Sequence, residues 1–150
     1  MEKRAWALFA QALAVALGAC AAPLDGGPIA YEVAGGAIPA PLGADAGDPQ
    51  RGRAIIAGRD GNCLLCHAIP EIGEKFMGNV GPPLSGIGSR LGAGELRLRI
   101  ADPTRVNRDA VMPAYYRVRG LDSVAPEYRD KPILTAQQVE DVVAYLLTLR

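Results

Sequence analysis

Apolar residues recur with a clear helical period in one segment of the chain. Val139, Val142, Val143, Leu146 and Leu149 form an i, i+3, i+4, i+7 stripe, while Gln137, Glu140, Asp141 and Thr148 fall on the face left to water. Thr135 stands where an N-cap is needed, and Gln138 three residues later completes a capping box, so the spacing predicts a helix here. A second helix is predicted after Asp48-Pro49, an acidic N-cap followed by proline at the first helical position. Ile55 and Ile56 supply its apolar side, and Gly58 and Gly61 end it. A third, shorter helix is predicted over 93–103, with Leu96 and Ile100 on one face and Pro103 as the stop. Between them lie the Gly/Pro-rich stretch 78–92 and a long irregular stretch from Pro103 to Leu134. No run alternates as a strand would. The expected fold class is all-α, with few helices and long loops.

The N-terminal segment is patterned differently. Lys3 and Arg4 precede an apolar run over 5–19 that is broken only by Gln11. That is the length of a secretory signal core, where a membrane span needs about 20 apolar residues. Extending the run to Ala22 gives the competing reading of an uncleaved anchor. Two cleavage readings stand side by side. Leu17-Gly18-Ala19-Cys20 has the form of a lipobox, which makes Cys20 a lipidation candidate; an ordinary cut after a small-x-small triplet such as 19–21 is the other. The expected organisation is a signal peptide over 1–19, a Gly/Ala/Pro-rich arm or linker over 20–47, and a folded domain over 48–150. The expected location is the periplasm, with or without a lipid anchor at Cys20.

Composition sharpens this picture. The 150 residues include 18 Gly and 12 Pro, and much of the 49% hydrophobic content is alanine. A loop-rich domain with so thin a core ordinarily needs a metal or a large cofactor to complete it. The formal net charge is zero, and removing 1–19 leaves 14 basic and 15 acidic residues, so no nucleic-acid footprint is present.

The chemistry sits in GNCLLCHAIP, 61–70. Cys63, Cys66 and His67 form C-x-x-C-H, and His67 is the single histidine of the chain. This spacing attaches c-type haem: two cysteines reach two vinyl carbons on one porphyrin edge, and the next residue supplies an imidazole to the iron. A zinc site lacks a fourth ligand unless an acid joins, and a thioredoxin-like dithiol needs strands that the pattern does not offer. Cys63, Cys66 and His67 are therefore assigned to one covalently bound haem c. The sixth iron position cannot be a second histidine. Met77 follows His67 too closely to reach the other haem face, whereas Met112, in a proline-punctuated loop, can present its thioether there. The proline pair of GPPL, 81–84, can fold back beside the haem, and the Pro82 carbonyl is the candidate acceptor for the second ring nitrogen of His67. A plain structural turn is the competing reading of that pair.

A glycine-bearing first helix (Gly52 with Ile56), C-x-x-C-H, GPxL, a distal methionine and an amphipathic last helix ending VAYLLTL together resemble the class I cytochrome c family. The resemblance covers about 48–150. It implies that the first and last helices cross, with Gly52 and Ile56 meeting Val142 and Tyr145. GNVGPPLSGIG, RIADPTRVNRDAVMPAYYRV and VAPEYRDKPILTAQQVEDVVAYLLTL narrow the likeness to the SoxX subunits of sulfur-oxidising bacteria. That likeness implies a periplasmic partner, a SoxA-type haem subunit, whose complex couples thiosulfate to a cysteine of the carrier SoxYZ as an L-cysteine S-thiosulfotransferase. It also implies that the sulfur chemistry belongs to the partner. The chain agrees by subtraction, since beyond Cys63 and Cys66 its mature domain has no cysteine to hold sulfur.

The expected function is electron transfer, from a SoxA-type subunit to a downstream cytochrome c, with no catalysis by this chain alone. A free-standing monohaem electron shuttle is the competing function, and the loop 115–134 is what separates them, because an obligate subunit would bury it. A sensor or peroxidase would need a vacant or labile sixth iron position, and the chain has no distal histidine to serve one. Arg97, Arg99, Arg105 and Arg108 are expected to form either an electropositive patch or a solvated helix face.

Overall fold

The computed structural model describes residues 28–150. The expected signal peptide, the candidate lipobox and Cys20 lie outside the described residues. Four α-helices appear in order: α1 (Pro49–Ala57), α2 (Ile87–Arg90), α3 (Ala93–Ala101) and α4 (Ala136–Thr148). Single 3₁₀ turns at Cys63–Leu65, Pro70–Ile72, Pro103–Arg105 and Pro126–Tyr128 punctuate the loops. The described residues contain no β-strand, only an isolated bridge between Ala34 and Ala37. The fold is all-α.

The helix ends form as their side chains dictate. Asp48 accepts from the Gln50 and Arg51 amides, and Pro49 opens α1 without needing a donor of its own. At α4, Thr135 accepts from the Gln138 amide while Gln138 accepts from the Thr135 amide. The apolar stripe of α4 then meets α1 at close range. A Cβ on Gly52 would lie 1.9 Å from the Asp141 carbonyl oxygen, so only glycine lets the two backbones cross here. The core between α1, α3 and α4 holds Ile56, Leu96, Leu98, Val139 and Val142.

Two polar positions of α4 are not on the wet face. Glu140 is 6% exposed and Asp141 2%. A buried carboxylate must be paired and hydrogen-bonded, and both are. Arg97, also buried, grips Glu140 through Nε at 2.7 Å and Nη2 at 2.8 Å. Arg97 is thus neither a patch residue nor a solvated one, while Arg105 and Arg108 are exposed. Asp141 takes the Asp48 amide at 2.8 Å and Arg51 Nε at 2.7 Å.

These ion pairs clasp the segment before α1. Arg97 Nη1 donates to the Ile38 carbonyl at 2.6 Å, and the Leu42 amide donates to Glu140 at 2.8 Å. Ile38 and Leu42 are buried in the main core. Further out, the Ile29 amide donates to the Tyr116 hydroxyl, and the Tyr31 ring lies 6.2 Å from that of Tyr116. The described part of the Gly/Ala/Pro-rich arm therefore lies along the domain.

Burial alone would raise the Asp141 carboxyl, but the bonds from Arg51, the Asp48 amide and Gln137 outweigh it and hold the group below its ordinary 3.8. A lowered folded-state value contributes stability above the ordinary value, and that contribution is lost as pH falls through the lower one. Wild-type holoprotein is therefore expected to exceed Asp141→Asn in guanidinium midpoint at pH 7, with the gap closing below about pH 4. A gap that persists at pH 2 would contradict the role of its charge.

Candidate haem site

The turn that carries Cys63 and Cys66 begins at Asn62, whose φ of 46° lies in the left-handed region that asparagine tolerates better than most residues. The 3₁₀ turn Cys63–Leu65 follows, and the Cys66 and His67 amides both donate to the Cys63 carbonyl. Both thiols are half-buried and free. Burial pushes the Cys63 thiol up to about 11, so at neutral pH it is a protonated, weakly nucleophilic group. Burial also raises the Tyr115 hydroxyl, with the nearby Cys63 and Cys66 adding to it.

The GPPL segment packs against the histidine. His67 Nδ1 lies 2.7 Å from the Pro82 carbonyl oxygen. A carbonyl only accepts, so Nδ1 donates to it, and Nε2 is the ring nitrogen that this contact leaves available to a metal. Gly81 makes this contact possible: a Cβ there would stand 2.4 Å from the imidazole Cε1. The proline pair was the sequence signal for this contact, and the need for glycine before it shows only in the packing.

Cys63, Cys66, His67, Pro82 and Met112 all line one cavity of about 560 Å³. That volume falls in the range of about 300–1,000 Å³ typical of sites for small organic ligands. Its walls are apolar, with Ile56, Leu96, Ile100 and Leu146 from α1, α3 and α4. Arg90 and Arg99 also line it, and their positive charge suits a ligand that carries carboxylates. Met77 is not among the lining residues; its Sδ instead accepts from the Ile69 amide at 3.1 Å. Among the described residues no group of three or more His, Cys, Asp or Glu is gathered as a metal-ion cage. Two thiols, one imidazole with a free Nε2, one soft thioether and an apolar cavity fit haem c in ligand chemistry and in polarity.

Tyr115 is a site residue that the sequence did not single out. It lines the same cavity, and its hydroxyl donates to the Gly61 carbonyl at 2.6 Å. The two residues are 54 positions apart, and no local pattern announces such a pair.

The family model for cytochrome c matches residues 49–150. A chain in the crystal structure of SoxXA from P. pantotrophus is similar at 36% sequence identity with a TM-score of 0.73, covering 79% of this chain and 93% of that one. A search of curated proteins returned no match. With the cavity geometry, these findings place the chain in the cytochrome c family, as a SoxX-type, class I electron-transfer cytochrome with covalently bound haem c.

Proposed function

We propose that this chain is the electron-transfer subunit of a periplasmic thiosulfate-oxidising complex. In this reading it accepts electrons from a SoxA-type haem partner as thiosulfate is coupled to a cysteine of a SoxYZ carrier, and passes them to a cytochrome c. The observation that carries the electron-transfer part is the joint placement of His67 and Met112 on one apolar cavity. With His67 and Met112 both holding the iron of a bound haem, no position would remain for oxygen or peroxide.

One haem c, when bound, supplies a one-electron couple at its iron. Cys63 and Cys66 would hold it by thioethers. His67 is oriented by the Pro82 carbonyl, which also increases the basicity of its ligating nitrogen. Met112 would supply a neutral, soft sulfur that favours the reduced state. With the group bound, the apolar walls would leave little room for water around it, which raises the cost of charging the centre.

The partner is supported by the 36% identity to a chain of the SoxXA structure. The loop over 117–133 adds to this. It exposes Leu121, Tyr128 and Ile133 and walls a second, more polar groove with Arg59, Arg129 and Lys131. The test is co-expression with a SoxA-type subunit and size-exclusion chromatography with haem staining. A 1:1 complex stable at micromolar concentration is expected. A monomer that ignores the partner overturns the subunit reading and leaves the free-standing shuttle. Export is tested separately by the mass of the mature protein from the periplasmic fraction, which also reveals any lipid on Cys20.

A further inference from the structure

The buried carbonyl of Gly61, two residues before Cys63, has two donors within reach. Tyr115 Oη stands at 2.6 Å, and Cys63 Sγ at 3.6 Å. Among the described residues no backbone amide is bonded to it. Thioether formation at Cys63 removes the S–H, so in the haem-loaded protein the Tyr115 hydroxyl is the remaining donor. Tyr115 is itself pinned on both sides: its amide donates to the Ile100 carbonyl of α3 at 3.1 Å, and its carbonyl accepts the Leu134 amide at 2.9 Å. It follows Met112 by three residues, across the φ-restricted Pro113.

We propose that Tyr115 is a positioning residue that ties the loop bearing Met112 to the haem-attachment turn through the Gly61 carbonyl, and so keeps Met112 on the iron. The inference rests on the reading of Met112 as distal ligand. The tie joins one segment fixed by thioethers to another that must hold a weaker bond. Without the hydroxyl, a buried carbonyl loses its partner and the native loop position loses its advantage over a displaced one.

The experiment uses the holoprotein with Tyr115→Phe, and Tyr116→Phe as the control, since the Tyr116 hydroxyl accepts from Ile29 in the arm instead. Added imidazole competes with the methionine for ferric iron, followed by loss of the methionine–iron absorption at the red end of the spectrum. Tyr115→Phe is expected to keep covalent haem and helix content while its apparent affinity for imidazole rises about tenfold. Tyr116→Phe is expected to leave that affinity unchanged. Equal shifts in both variants, or none in Tyr115→Phe, overturn the proposal. Absence of the methionine–iron band from the wild type overturns the distal-ligand reading first, and this inference with it. A second measurement does not depend on a variant folding. Proton NMR of the reduced wild type is expected to show a slowly exchanging Tyr115 hydroxyl proton close to Gly61, and its absence counts against the tie.

Discussion

Met112→Ala holoprotein is expected to lose the methionine–iron charge-transfer band, to bind added imidazole or cyanide readily, and to show a much lower reduction potential. Axial ligands move haem potentials over a range of about 0.8 V, and the change here should be a substantial part of it. The physical reason is ligand softness. A neutral thioether stabilises the electron-rich ferrous state relative to the ferric one, and water or hydroxide in its place does the reverse. Met112→His supplies a harder nitrogen, so it should restore six-coordination without restoring the potential. Met77→Leu serves as the control. The Met77 sulfur already takes the Ile69 amide and is not on the cavity wall, so its removal should leave the band and the potential unchanged. A band that survives in Met112→Ala and vanishes in Met77→Leu would assign the ligand to the other methionine. Potentiometry and visible spectroscopy on the three variants decide this.

What the sequence disclosed and what it hid divide along a physical line. C-x-x-C-H is a contiguous constellation, so its geometry is local and the residues name themselves. The helix ends were legible for the same reason, because Asp48-Pro49 and the Thr135–Gln138 box act within one turn. The proline pair of GPPL was placed beside His67 because its rigidity narrows where its carbonyls can point. The hidden features are long-range. Glu140 and Asp141 sit on the side of α4 that a hydropathy stripe assigns to water, yet their partners, Arg97 and Arg51, are 43 and 90 positions away. Periodicity registers a charge as polar and says nothing about whether another charge will meet it. Arg97 fared the same way: among neighbouring arginines it looked like surface, and burial opposite Glu140 is visible only once α3 and α4 are packed. Tyr115 was hidden because its bond partner is a backbone carbonyl, which has no letter in a sequence.

The clasp formed by Arg97 leads to the second large effect. Arg97→Met is expected to destabilise the holoprotein by about 3–5 kcal/mol, the usual result of removing one partner of a buried ion pair. That is a large share of the about 5–15 kcal/mol by which a domain is stable at all. Glu140 would keep the Leu42 amide but lose both guanidinium bonds, leaving a carboxylate 6% exposed without a counter-charge. The Ile38 carbonyl would lose its donor at the same time. The double variant Arg97→Met, Glu140→Leu removes both charges and should recover part of the loss, because two apolar side chains of similar volume need no pairing. Recovery should stay incomplete. The Ile38 carbonyl and the Leu42 amide would both be left in the core without partners, at about 1–3 kcal/mol each. The clasp therefore differs from an ordinary buried salt bridge, since its charges also satisfy the backbone of the segment they hold. Guanidinium midpoints of the three holoproteins measure the energies. Limited proteolysis shows where they act: cleavage within 36–47 should appear in both variants before the α1–α4 crossing opens. If the double variant is no more stable than Arg97→Met, the unpaired charge is not the source of the loss. If 36–47 stays protected in both, the ion pair does not hold the arm to the domain.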